Sequence, residues 1–593
     1  MAPRLKILSN VVKRLKKLNA AVTGHLYGVI NEETLTVLTF SINPVDDDDH
    51  KIQPIDLQLC MSAEIDLFGI LYVDQYKQDI PDAFKDIDVT DNPLLIKYSL
   101  DAADINAFYY IHQKLEPIKF DIINEEDLRK NFCYVRLQAT LPFISEKTNV
   151  LDTLQETRKK LAAGKVSFYF DESNVFLFGN NSDGDAESKS AKELLRTANN
   201  KPTPGVIEVV EAGMLLKMYN DKITEEKIKH APIIQHVKQP VEFYKFSMKI
   251  DALSLVGHNV TMAQLYEILV ESLCRNLRLI GASFESQLEL ENTELRLPAP
   301  IHFKPVNFGH LLTLVYPVGI SASETYEYRK SLHRRLALDM TRPYFRHGNA
   351  VKFQNDSKRN KLLLNPHELV ANPDGKIYCT CIDYITKKKL ILMISKYSGS
   401  QISVVNGLYA YYHYMQDGFD DNGWGCAYRS LQTIISWYRL QGYTDKPIPS
   451  HKEIQKCLVD IGDKDSTFIG SKQWIGSTEV GFVLEKMLSV SIKVITTNSG
   501  DEMPSIVPDL EYHFQTQGTP VMIGGGVLAH TILGISNDKE TREVRFLILD
   551  PHYTGPEEIN IILNRGWCSW KKKDFWRKDA FYNMCLPQRP KCI

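Results

Sequence analysis

One cysteine stands in a setting that could turn it into a nucleophile. Cys426 lies in the run Asp420-Asp421-Asn422-Gly423-Trp424-Gly425-Cys426-Ala427-Tyr428-Arg429-Ser430, and Asp550-Pro551-His552 closes an apolar stretch far downstream. A free thiol has a pKa of about 8.5, so near neutrality it attacks carbonyls poorly unless its thiolate is stabilised or its proton removed. Both devices can be read here, and together they point to acyl transfer through sulfur.

The first device is a helix start. Gly423 and Gly425 interrupt the chain, and beyond Cys426 the residues Leu431, Ile434, Ile435 and Tyr438 recur at i, i+3, i+4 and i+7. That spacing predicts a helix with one buried face that opens at Cys426. Its unpaired N–H groups and the positive end of its dipole would favour a thiolate. The second device is a base with a carboxylate behind it. Val544, Phe546, Ile548 and Leu549 predict a strand that ends at Asp550, and Pro551 cannot extend a ladder. Asp550 and His552, two apart, would point the same way from the strand end. His552 would take the thiol proton, and Asp550 would fix its tautomer.

Each fragment alone has a plainer reading. Cys60, Cys133, Cys274, Cys457, Cys568, Cys585 and Cys592 read as small buried hydrophobes. An isolated Asp-Pro-His is commonly a turn. Taken together, with cysteine first and histidine later as in papain-like proteases, the pieces favour catalysis.

Several further runs occur in fixed order: Tyr412-His413-Tyr414-Met415-Gln416-Asp417, Gln473-Trp474-Ile475-Gly476-Ser477, the segment from Gly518 to Thr531 containing Gly524-Gly525-Gly526-Val527-Leu528-Ala529-His530, and Asp550 to Gly555. With the cysteine segment they resemble the ubiquitin-fold modifier (Ufm) specific proteases, and among them the long, second type. The resemblance runs through residues 400 to 593. It implies a papain-like thiol peptidase that cuts after the modifier's C-terminal glycine, maturing the precursor and releasing the modifier from target lysines. It implies Cys426 as nucleophile, His552 as base, Asp550 as its partner and Tyr414 as an oxyanion donor. Gln416 is a rival donor, since papain uses a glutamine, and Tyr414 could instead be one packed aromatic among Tyr409, Tyr411 and Tyr412.

His530 also follows a glycine-rich segment, among the apolar residues Leu528, Ala529, Ile532 and Leu533. A core histidine or a supporting position beside the site both fit; only His552 has a carboxylate at the matching spacing. Gly524, Gly525 and Gly526 lack the Lys-Ser or Lys-Thr of a phosphate loop. Gly524 and Gly525 read better as a close wall beside a glycine-ended peptide, with Trp424 and Trp474 as aromatic walls or ordinary core. The autophagy-type cysteine proteases share Gly423-Trp424-Gly425-Cys426 and Asp550-Pro551-His552 and are the nearest alternative. A modifier-binding scaffold without catalysis is another, weakened by the intact Cys426, Asp550, His552 and Tyr414.

The chain has 593 residues, net charge -3 and 44% hydrophobic content, enough for several cores and without a general drive toward nucleic acid. Ten cysteines at irregular spacing form neither a disulfide framework nor a zinc pattern, which fits a reducing compartment. No cofactor or metal is expected. No stretch reaches the roughly 18 apolar residues of a membrane span. Met1 to Ala20 reads as a basic amphipathic helix for packing, partner docking or membrane-surface contact, not as a signal peptide.

The expected fold is α/β (α+β) in five parts. Residues 1–150 form an MPN-like recognition domain, with strands over Ala21 to Thr39, Ile65 to Val73 and Leu94 to Ser99 but without the His-x-His pair of metal-dependent MPN members. Residues 151–204 link, with a flexible loop at 180–204. Residues 205–375 form a second α/β module with a helix around Val260 to Leu279. Residues 376–402 are an inserted loop, a departure from the resembled family that bears on Tyr414, and 403–593 is the protease. The resemblance further implies an endoplasmic-reticulum adaptor related to the odorant-response-abnormal protein four. It would place the chain in the cytoplasm and on the cytosolic face of the endoplasmic reticulum, with the nucleus as a further site.

Overall fold

The structure is a computed structural model that describes residues 3–43, 52–74, 84, 87, 92–179, 181–182, 190–196, 209–216, 242–289, 295–351, 353, 362–363, 369–371, 377–379, 400–538 and 541–590. The chain divides into two compact units, Met1–Met340 and Thr341–Ile593.

The first unit carries two sheets. Eight strands order as Lys114–Ile118, Asp104–Ile111, Leu94–Ser99, Asp66–Val73, Val22–Asn31, Thr34–Ile42, Arg4–Leu8 and Phe120–Ile123. The strand expected over Ala21 to Thr39 is a hairpin of two, turning at Glu32 with φ +54°. The expected N-terminal helix is a strand, Arg4–Leu8, parallel to Thr34–Ile42, followed by a short helix at Ser9–Leu15. Leu5 and Ile7 are buried where the sheet is covered, a period-two pattern inside what reads as a helical one. Arg14 on that helix faces the core: it donates to Thr39 Oγ1 at 2.6 Å and lies between the rings of Phe40 and Phe308, 4.3 and 4.4 Å from their centroids. Of the expected roles, packing is the one this side chain adopts.

The second sheet has six strands, and its longest, Phe132–Glu146, pairs along its whole length with Phe243–Gly257. This corrects two expected boundaries. Phe132–Glu146 belongs to the second sheet rather than to the first module. Residues 151 to 178 are not a linker but the Val150–Ala162 helix and the strands Val166–Phe170 and Val175–Phe178. Their buried Leu154, Leu161, Val166, Phe168 and Phe170 share a core with the Met262–Leu288 helix, which Thr261 caps through a reciprocal bond with Gln264. Most of 180–204, and 380–399 of the insert, lie outside the described residues.

The second unit is built around one helix against one sheet. Seven strands pair antiparallel throughout, with Val521–Gly525, Leu528–Asp538 and Val544–Leu549 at the centre. The Cys426–Leu440 helix starts as expected. Its burial is not one-faced, because every residue from Ala427 to Tyr438 is buried. Its polar residues are spent on the preceding segment: Ser436 Oγ accepts the Ala410 N–H at 2.8 Å and Thr433 Oγ1 the Tyr412 N–H at 3.1 Å. Polar groups buried in a helix need partners, and these partners carry the tyrosine segment to the site.

Candidate active site

Cys426 is the first residue of its helix, with Gly425 before it and no side chain capping the first turn. The turn needs its glycines. Gly423 has φ +83°, and a Cβ on Gly425 would meet Asp421 Oδ2 at 2.4 Å. The thiol is half-buried while Cys60, Cys133, Cys274, Cys457, Cys568 and Cys585 are buried, as expected of small hydrophobes.

The Val544–Leu549 strand ends where expected and delivers Asp550 and His552 to the same place. Asp550 Oδ1 accepts from His552 Nδ1 at 2.6 Å and from the His552 backbone N–H at 3.0 Å. With Nδ1–H engaged there, Nε2 is left for sulfur. Nε2 is buried without a hydrogen-bond partner among the described residues, and the imidazole and the sulfur act on each other through their charges. Burial alone would raise the thiol; the neighbouring His552, the Tyr414 hydroxyl and the Ala529 N–H outweigh it and hold the thiol below its ordinary value. For His552, burial works downward, and Asp550 and Cys426 overcome it to lift the imidazole to about 9. Both shifts favour the thiolate–imidazolium pair over the neutral one, and the helix N-terminus works in the same direction.

Tyr414 is buried, with its ring 5.2 Å from that of His552 at 88°. Its hydroxyl reaches the Cys426 sulfur and the Cys426 backbone N–H. Burial, then the neighbouring thiolate, keep the phenol protonated and able to donate. Its rival points elsewhere: the Gln416 amide donates to the Tyr411 carbonyl at 3.2 Å and accepts the His413 N–H at 3.3 Å.

His530 sits beside the pair rather than in it. Its Nε2 is 3.9 Å from Asp550 Oδ2, its ring is 5.3 Å from that of His552, and burial lowers its pKa to about 4. It is a neutral wall behind Asp550. Among the described residues, His530, Asp550 and His552 are the one group of three metal-ligand types whose ligand atoms lie within 4.8 Å of one another. Within that group His552 Nδ1 is bonded to Asp550 Oδ1.

Of the expected walls, Trp424 takes the core alternative and Gly525 has a packing duty of its own. Trp424 is 7% exposed and packs edge-on against Phe419, Tyr428 and His451 beneath the cysteine turn. Gly525 is required by packing, since a Cβ there would meet the Tyr582 ring at 2.1 Å. Gly524 has more room, with Met522 Cε 3.6 Å from its virtual Cβ. Trp474 does stand at the surface, 56% exposed, with its indole N–H donating to the Gly423 carbonyl at 3.3 Å. Sequence reasoning missed Asp421, Arg429 and His451, a buried cluster under the turn. The one local signal was a carboxylate eight residues before an arginine at a helix start.

A thiolate at a helix start, an oriented imidazolium and a tyrosine hydroxyl on the same spot define a cysteine peptidase site. Residues 400–585 match Peptidase family C78. Residues 1–128 match the insect UFM1-specific protease N-terminal MPN-like domain, and residues 181–358 the N-terminal region of ubiquitin-fold modifier 1 specific protease 2. The chain is 37% identical to the probable Ufm1-specific protease 2 of Drosophila pseudoobscura pseudoobscura over the whole of both chains. It is 44% identical to Ufm1-specific protease 2 of Mus musculus over 61% of this chain and 73% of that one. A crystal structure of UfSP from C. elegans superposes with a TM-score of 0.64 at 26% identity, covering both chains fully. The chain belongs to the Ufm1-specific protease 2 family.

Proposed function

We propose that this chain cleaves the bond after the C-terminal glycine of Ufm1, in the precursor and in conjugates on target lysines. The observation that carries the chemistry is the Asp550–His552 pair, bonded at 2.6 Å and facing the half-buried Cys426 at the start of its helix. The relatives' names carry the modifier.

The thiolate attacks the glycine carbonyl carbon, and the electron pair moves to oxygen. The Tyr414 hydroxyl and the Cys426 N–H, both beside the sulfur, would receive that oxyanion, and donors fixed in advance are worth about 3 kcal/mol at such sites. The imidazolium of His552 gives its proton to the departing amine, leaving a thioester on Cys426. Water, deprotonated by the now neutral His552, then releases the modifier carboxylate and restores the thiol. Asp550 holds the ring in the tautomer both steps need.

The test is covalent capture. Ufm1 carrying a C-terminal electrophile should label the protein at Cys426 and spare Cys426→Ala; equal labelling of the variant, or preference for a ubiquitin or autophagy-modifier probe, would reverse the assignment. The same proposal places the chain in the cytoplasm, with the nucleus as a further site, and on the cytosolic face of the endoplasmic reticulum. There an adaptor related to the odorant-response-abnormal protein four would hold it, a placement supported by resemblance. Among the described residues no helix is long and apolar enough to cross a membrane. Loss of the chain from a microsomal fraction on depletion of the adaptor is the expected result.

A further inference from the structure

Asp421 has no exposed surface, and three N–H groups converge on its carboxylate. Oδ1 accepts the backbone N–H of Met415 at 2.8 Å. Oδ2 accepts Arg429 Nε at 2.6 Å and His451 Nε2 at 3.1 Å. Its main-chain carbonyl accepts the N–H groups of Trp424 at 3.2 Å and Gly425 at 2.9 Å. One residue is thus bonded both to the neighbour of Tyr414 and to the neighbour of Cys426.

Met415 is in the left-handed region, φ +61°, where a side chain other than glycine stays only if its surroundings hold it. The Asp421 bond is made to that strained peptide. On the opposite side the same segment is tied to the histidine loop. The Tyr414 N–H donates to the Pro551 carbonyl at 2.9 Å, His413 Nδ1 to the Tyr553 carbonyl at 3.1 Å, and the Tyr411 hydroxyl to the Asp550 carbonyl. Residues 411 to 415 therefore form a brace between the two halves of the site; on the cysteine half Thr433 Oγ1 holds it at Tyr412 and Asp421 at Met415, next to Tyr414. Arg429 and His451 keep Asp421 aimed: Arg429 lies on the nucleophile helix, and the His451 ring stacks on Tyr428 at 4.9 Å and 23°.

We propose that Asp421 is a positioning residue for the oxyanion hole: through the Met415 N–H it sets the Tyr414 hydroxyl against the Cys426 sulfur. The inference rests on the thiol-peptidase reading and not on the choice of modifier. Donor geometry at an oxyanion tolerates little displacement, so a slackened Met415 peptide lowers turnover without weakening substrate binding. The competing view is that the buried Asp421–Arg429–His451 cluster merely stabilises the fold.

A double-mutant cycle on the full chain separates the two. Asp421→Asn, Tyr414→Phe and the double variant are assayed on a short peptidyl-glycyl-aminocoumarin, which carries no modifier fold, and on a Ufm1 C-terminal amide. Asp421→Asn should lower kcat about tenfold or more with KM held within about twofold, and should cost at most about twofold further once Tyr414 is phenylalanine. The pH profile of Cys426 alkylation by iodoacetamide should rise for Asp421→Asn no further than for Tyr414→Phe, because the Tyr414 hydroxyl is one of the groups that hold the thiol down while the Asp550–His552 pair is untouched. Losses that multiply in the cycle, or an alkylation profile displaced beyond that of Tyr414→Phe, would overturn the proposal. If Asp421→Asn does not fold by its melting curve, Arg429→Lys, which loosens the grip on Oδ2, takes its place with the same expectations. Cleavage of the short peptide without cleavage of Ufm1 would undo the modifier assignment and leave this inference standing; a wild type inactive on both would undo both.

Discussion

Three residues turn an ordinary thiol into a reagent, and their electrostatics have a pH signature. With the Cys426 thiol held below its ordinary value and His552 lifted to about 9, the reactive ion pair is favoured and its upper limit lies near pH 9. Peptidase activity should rise at low pH as the thiolate forms and fall as the imidazolium loses its proton near pH 9, a bell that a pH series of kcat/KM will trace. Iodoacetamide at pH 7 should modify Cys426 well before Cys585, whose buried thiol is pushed up to about 12; mass spectrometry of partly labelled protein reads this directly. The same shift bears on stability. A histidine raised on folding stabilises the native state fully below its unfolded value of about 6.5, and the contribution is lost as pH rises through about 9. Asp550→Asn should remove that dependence from the alkaline limb of a melting-temperature series. Tyr414→Phe should lower kcat about a hundredfold while KM stays nearly constant, the mark of a donor used only in the transition state.

At the scale of elements, the site is the meeting of a helix start, a strand end and a short tyrosine segment. None has much freedom. The helix is buried on all sides from Ala427 to Tyr438, the histidine strand is central in an antiparallel sheet, and the tyrosine segment is bonded to both. The weakest join is the turn before Cys426, where Gly425 touches Asp421 with no room for a methyl group. Gly425→Ala should cut kcat/KM about a hundredfold by displacing the sulfur. The melting temperature should fall as well, because the methyl group displaces the buried Asp421 from Arg429 and His451.

For the whole molecule, the reacting groups and their support lie in one of two compact units. Cys426, Asp550, His552, Tyr414, Asp421 and a hydrophobic core from Val405 to Leu586 all belong to Thr341–Ile593. A fragment beginning at residue 341 should fold and alkylate at Cys426 at the rate of the full chain; comparison of the two by mass spectrometry and melting curve checks it. The first unit has its own core, in which the Arg136–Asp251–His302 cluster also contains a carboxylate–imidazole pair at 2.9 Å. His302 leans on Thr313 and all three of Asp251, His302 and Thr313 are buried, so the pair braces the sheet and has no route to substrate.

The sequence by itself determined the chemistry of the second unit. Cys426 after two glycines, a 3.6-residue apolar rhythm beyond it, and a carboxylate two residues from a histidine at a strand end are local patterns, and local patterns are governed by local sterics and hydrogen bonding. Of the eight strands of the first sheet it determined four, those from Val22 to Ser99. Only the tertiary structure decided what depends on partners remote in the chain. Arg4–Leu8 became a strand because Thr34–Ile42 and Phe120–Ile123 offered it hydrogen bonds on both sides. Phe132–Glu146 joined the second sheet because Phe243–Gly257 pairs with it from end to end. Trp424 went under the turn rather than beside the tail because Phe419, Tyr428 and His451 enclose it. Beyond its spacing to Arg429, Asp421 gave no sign of its place, since the amide, guanidinium and imidazole that converge on it come from three separate segments.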